Sequence, residues 1–157
     1  IVATLALIAF MLMTYMRFGV YTMFALVLNA LLILGAMAMF NATLTLPGIA
    51  GFVLTIGAAV DANVLIYERI REELRRGRNT LASCEFGYKE ARSAIFDANI
   101  TNVISAIIMF WFGSGPIRGF AVVLTIGIMT SVFTGVTFTR LIVAEHLKRA
   151  RPRELNI

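Results

Sequence analysis

The sequence is poor in the side chains that build most catalytic and metal sites. Its 157 residues include one cysteine, Cys84, and one histidine, His146. A single cysteine excludes an internal disulfide, and with one imidazole there is neither a cysteine-pair metal motif nor an HExxH metalloprotease. No P-loop and no GxSxG is present, so an ATPase or hydrolase reading has nothing to stand on. No catalytic residue, metal or cofactor is therefore expected. His146, between Glu145 and Lys148, reads as an interfacial residue rather than a ligand. Charge is scarce as well. From Leu44 to Tyr67 the only charged side chain is Asp61, and no Lys or Arg lies in the middle of an apolar stretch to neutralise it.

What fills the chain is apolar. Hydrophobic residues make up 59% of it, and the mean hydropathy is +0.85, too high for a soluble domain of this length. Roughly 20 apolar residues cross a bilayer as a helix. Five stretches qualify or nearly do: 1–16, 20–40, 47–67, 97–112 and 117–144. The fold class expected is an all-α membrane protein. The first stretch opens at Ile1 without an initiating Met or the basic segment of a signal peptide. The expectation is an interior or C-terminal piece of a longer chain.

The formal net charge of +5 could suggest nucleic acid, but its placement argues for a lipid bilayer. Arg69, Arg71, Arg75, Arg76, Arg78, Lys89 and Arg92 fall between the third and fourth stretches. Lys148, Arg149, Arg151 and Arg153 follow the last. The loops Asn41–Leu46 and Phe112–Ile117 carry no charge, and only Arg118 lies close to one. Cytoplasmic loops are enriched in Lys and Arg. The expected topology is an outside N-terminus, a cytoplasmic segment 68–96, and a basic cytoplasmic tail 145–157. Cys84 then sits where a reduced thiol is expected.

Local signals mark the boundaries. Pro47 suits a helix start, where its missing N–H does no harm. Glu68–Arg76 is rich in helix formers with Glu72 and Arg76 one turn apart, and Gly77 ends it as a C-cap. Asn79 or Thr80 caps a following segment, Leu81–Ile95, whose amphipathic pattern predicts a separate surface helix on the inner leaflet. Gly48, Gly51, Ala58 and Ala62 crowd the third stretch, and Gly119, Gly127, Ser131 and Gly135 line the last, which reads as close helix packing in lipid. The eight Met residues read as filler.

Asp61 is the leading candidate for function. A carboxylate near the bilayer centre costs roughly 2.5–3.5 kcal/mol on insertion scales, so such a group is expected to face a bundle interior or a water-filled cavity. Helical spacing puts Gly57, Ala58, Asp61 and Leu65 on one stripe, with Asn63 pointing elsewhere. Asn99, Asn102 and Ser105 form a polar stripe on the fourth stretch that could face it. Withdrawal from water favours the neutral form of a carboxyl. Asp61 is thus a candidate proton relay with the proton as coupling ion, or else a neutral hydrogen-bonding acid between helices.

Three segments carry a resemblance. Ala59–Arg75, Asp97–Thr101 and Gly113–Ala121, in this order, resemble the SecD/SecF protein-export family of the resistance–nodulation–division (RND) superfamily, its SecD branch more than its SecF branch. The resemblance covers essentially the whole chain. It implies a six-helix half of which this chain holds helices two to six, without the first helix and the large periplasmic domain. It implies pairing with SecF, work with the SecYEG channel and SecA motor, and YajC and YidC as further partners. The implied activity is proton-driven completion of preprotein export across the bacterial inner membrane. The family's intramembrane acid falls on Asp61, with a SecF arginine supplying the missing cation and Asn63 and Asn102 among the polar neighbours. A solute exporter of the same superfamily is the alternative, although such pumps commonly pair their acids with Lys.

Overall fold

The computed structural model describes residues 1–150, so most of the expected basic tail lies outside the described residues. Among them the fold is wholly helical: α1 (Val2–Tyr15), α2 (Arg17–Met39), α3 (Leu46–Arg75), α4 (Thr80–Phe112), α5 (Pro116–Val132) and α6 (Thr139–Ala150). A π-helical turn, Phe133–Phe138, joins α5 to α6 without a break. Four helical stretches are long and apolar enough to cross a membrane: α2, α3, α4 and the run Pro116–Arg149. With its 14 residues α1 is too short to count by length; it rises only about 21 Å, against ~30 Å of hydrocarbon.

The helix ends follow their local chemistry. Met16, at φ 46°, breaks α1 from α2, so the second helix begins at Arg17 rather than Val20. Thr45 caps α3, its hydroxyl accepting from Gly48 N at 3.2 Å, and Pro47 occupies the first turn. Gly77 follows α3 at φ +86°, the left-handed conformation that favours glycine. Asn79 caps α4 by accepting from Ala82 N at 2.8 Å. The turn between them is locked further. The buried Glu73 carboxylate pairs with Arg76 at 3.0 Å and with Arg78, whose guanidinium stacks over Phe86 at 3.9 Å.

One expectation is corrected here. The segment Leu81–Ile95 is not a separate surface helix: it is the first half of α4, which runs unbroken from Thr80 to Phe112. Phe96-Asp97-Ala98-Asn99 contains no Gly or Pro to stop it. The apolar side of that half packs inward instead of onto a leaflet. Cys84, Tyr88, Ala91 and Ile95 join Ile66, Tyr67 and Ile70 of α3, Tyr15 and Phe18 from the α1–α2 junction, and Val143 and Leu147 of α6 in the largest core cluster. At 1.5 Å per residue α3 and α4 are about 45 and 50 Å long, longer than the hydrocarbon layer needs.

The small-residue stripes work as packing seams. Gly127 lies so close to Thr55 that no Cβ fits between them, and Gly119 meets Thr45 in the same way. These contacts zip α5 onto α3. Large apolar side chains remain exposed along the outer helices, among them Phe24, Leu31, Ile104, Trp111 and Met129. An apolar exterior on this scale fits contact with lipid or with further helices, not water.

Candidate functional site in a cleft between two spans

Asp61 projects from the middle of α3. Its turn-neighbours Ala58, Ala62 and Leu65 face Ala94, Ile95, Ala98, Asn99 and Asn102 of α4 across a cleft of about 220 Å³. The alanines explain the opening: two helices in antiparallel contact leave a gap where both present methyl groups. Asn99 and Asn102 therefore do share a site with Asp61, as their spacing suggests. The Asn99 amide donates to Ile95 O on its own helix at 2.7 Å, which leaves its carbonyl oxygen for the cleft.

Two site expectations come out differently. Asp61 is exposed at the rim of the cleft and is not enclosed within this bundle; it makes no hydrogen bond or ion pair among the described residues. A carboxylate in that position has nothing of this chain's own to compensate it. Ser105 does not line the cleft. It lies a turn beyond its end, and its hydroxyl donates to Thr101 O at 3.0 Å.

Asn63 points to the opposite side of α3, as expected from its spacing of two. It is buried against the last span, where the Thr139 hydroxyl donates to Asn63 Oδ1 at 3.4 Å and to Thr134 O at 3.0 Å. This places Asn63 against the π-helical turn, whose Gly135 passes within 3.8 Å of Asn63 Oδ1, measured from the position a Cβ would take. Such turns recur at functional sites in helices. The interior also holds a pair that sequence reasoning passed over. Asn29 of α2 donates to Ser131 Oγ of α5 at 3.2 Å, and both are buried. A lone amide within the apolar run 20–40 was the available signal. Nearer the α3–α4 turn, Thr22 donates to the Tyr67 hydroxyl at 2.9 Å.

Two kinds of polar contact thus coexist. One is an internal set, Asn29–Ser131, Thr22–Tyr67 and Thr139–Asn63, that ties α2, α3 and the last span together. The other is an acid with two amides at an open face. Two larger grooves along α4 and α5, lined by Ile107, Phe110, Trp111 and Met129 or by Ile100, Ile104 and Val132, are almost wholly apolar and offer no chemistry.

Residues 1–149 match the family model described as protein export membrane protein SecD/SecF, C-terminal. The chain belongs to the SecD/SecF protein-export family. It is 56% identical over 142 residues to the protein translocase subunit SecD of Calditerrivibrio nitroreducens, covering 90% of this chain and 28% of that protein. It is 53% identical over 157 residues to the SecD subunit of Syntrophobacter fumaroxidans, covering 100% of this chain and 30% of that protein. The chain therefore spans under a third of the length of these relatives. The crystal structure of SecDF, a translocon-associated membrane protein from Thermus thermophilus, superposes with a TM-score of 0.91 at 40% identity, covering 97% of this chain and 21% of that one. The SecD/SecF resemblance in the three sequence segments thus holds over the whole described fold.

Proposed function

We propose that this chain is the C-terminal membrane region of a SecD subunit, which assists the Sec translocon by using the proton-motive force in late steps of preprotein export across the bacterial inner membrane. Asp61 is the proton relay, and the proton is the coupling ion. One observation carries this reading: an unpaired carboxylate stands at an open cleft between two apolar spans, in a chain of the SecD/SecF family. Left in lipid it would cost roughly 2.5–3.5 kcal/mol or more. A companion helix bundle closing over the cleft would remove it from lipid and could supply the cation this chain lacks. SecF is the companion of that chemistry, and the SecYEG channel, SecA, YajC and YidC complete the proposed partners.

In this reading the face bearing the α3–α4 turn is cytoplasmic, because Arg69, Arg75, Arg76, Arg78, Lys89 and Arg92 gather there. The C-terminus lies on the same side, and α1 is a fifth, partial span. A proton moving down the potential releases ~2.3 kcal/mol per 100 mV. Taking up and releasing it at Asp61 changes the charge between α3 and α4, and the helices carry that change toward the exported chain. The chemistry is transport, with no covalent step. The test is Asp61→Asn in the full-length protein with its companion, in membrane vesicles. Proton-gradient-dependent export and proton flux both fall to the level of vesicles lacking the protein. Wild-type flux and export in Asp61→Asn remove the relay.

A further inference from the structure

A second polar cleft, well away from Asp61, lies between the first half of α4 and α6. Residues spaced by three and four on α4, Leu81 to Tyr88, face residues of the same spacing on α6, Arg140 to Lys148. The space between them is about 360 Å³, within the size range of small-molecule sites. Its walls are mostly apolar, with Leu81 and Leu147 among them. Its polar groups are few and biased in sign: Arg140 and Lys148 against the single carboxylate of Glu85. Neither cation forms an ion pair among the described residues.

The cations decide what the cleft is for. Arg140 and Lys148 stand on one face of α6, both without an ion-pair partner and set beside apolar walls. A guanidinium and an ammonium so placed make a receptor for a phosphate-type anion. The depth of the cleft in the bundle selects the source. Gly87, beside Tyr88, packs on Ile70, and Ile70 lies two residues past Glu68, where the uncharged run ends. The cleft therefore opens at the level where apolar surface gives way to charge.

We propose that this cleft binds the phosphodiester headgroup of an anionic phospholipid, held by Arg140 and Lys148, with acyl chains along the apolar walls. Basic pockets between membrane helices on the cytoplasmic side suit such headgroups. The site is independent of Asp61 and of the proton reading.

The experiment uses the full-length protein with its companion, solubilised in detergent and titrated with phosphatidylglycerol or phosphatidylcholine, with bound lipid counted by native mass spectrometry. Phosphatidylglycerol is expected to bind at lower concentration than phosphatidylcholine. Arg140→Gln with Lys148→Gln weakens phosphatidylglycerol by about fivefold for each cation removed, while phosphatidylcholine, whose choline cation already offsets its phosphate, loses less. If the double variant does not fold, the exposed Lys148→Gln alone carries the comparison. Equal binding of the two lipids overturns the proposal, as does wild-type phosphatidylglycerol binding in the folded variants. Displacement of phosphatidylglycerol by millimolar inorganic phosphate identifies a site for free anions and overturns the lipid assignment.

Discussion

Replacing Gly87 by Ala tests how tightly α3 and α4 are joined, because two opposing effects of known size meet there. A glycine inside a helix costs about 1 kcal/mol relative to alanine, so α4 taken alone gains from the change. The new Cβ, however, would fall on Ile70: its Cγ1 is overlapped, and its backbone N and Cα lie only 2.9 and 3.0 Å away. A side-chain tip could swing aside, but backbone cannot. The two helices must separate by about half an ångström along a seam that also seats Tyr67 and Tyr88. Overpacking costs roughly 1–3 kcal/mol, and a backbone obstacle puts this site in the upper part of that range. The net expectation is a loss of about 1–2 kcal/mol. On the scaling of 150–250-residue domains, that corresponds to a melting temperature about 2–8 °C lower in the purified full-length protein. Gly35→Ala supplies the contrast, since nothing lies within 4 Å of its would-be Cβ; it should be neutral or stabilising by up to ~1 kcal/mol. Combining Gly87→Ala with Ile70→Ala should not rescue the helix separation, because the backbone atoms remain. A Gly87→Ala protein that melts at or above the wild-type temperature refutes the reasoning.

Other perturbations follow from the same structure. Ser131→Ala strands the buried amide of Asn29 and should cost ~1–3 kcal/mol, whereas Asn29→Leu together with Ser131→Ala should recover most of it; thermal melting of the two variants checks this. Asn79→Ala removes the cap of α4 and should cost about 1 kcal/mol, while Asn79→Asp keeps an acceptor and should be close to wild type in the same assay.

Much of this architecture was legible from residues alone because its signals are local. Pro47, Gly77 and Asn79 mark helix ends through backbone chemistry that acts within four residues, and each sits where that chemistry requires. The meeting of Asp61 with Asn99 and Asn102 was legible too. The turn at Gly77 makes α3 and α4 antiparallel, and the 3.6-residue period then selects the facing stripes. The continuity of α4 was not. Asp97 and Asn99 look like a membrane boundary, yet the helix is held through them by Ala91 and Ile95 packing against a distant part of the chain. The exposure of Asp61 was also hidden, since a lone acid in an apolar run announces a need for cover without saying which polypeptide provides it. Asn29 was overlooked because its partner Ser131 lies 102 residues away. The π-helical turn leaves no mark in an apolar pattern that runs smoothly through it.

The unbroken α4 has a mechanical consequence. A rod of 33 residues reaches about 50 Å, far enough to carry motion from one side of the bilayer to the other without a joint. Its lower third is gripped in aromatic packing around Tyr67 and Tyr88, while its upper half leans on α5 alone, through Val103, Ala106 and Met109. Pivoted near the grip at Tyr88, a tilt of only 5° would sweep the far tip, at Trp111 and Phe112, through about 3 Å. A small change of charge beside Asp61, close to the fulcrum, would therefore arrive at the opposite surface magnified.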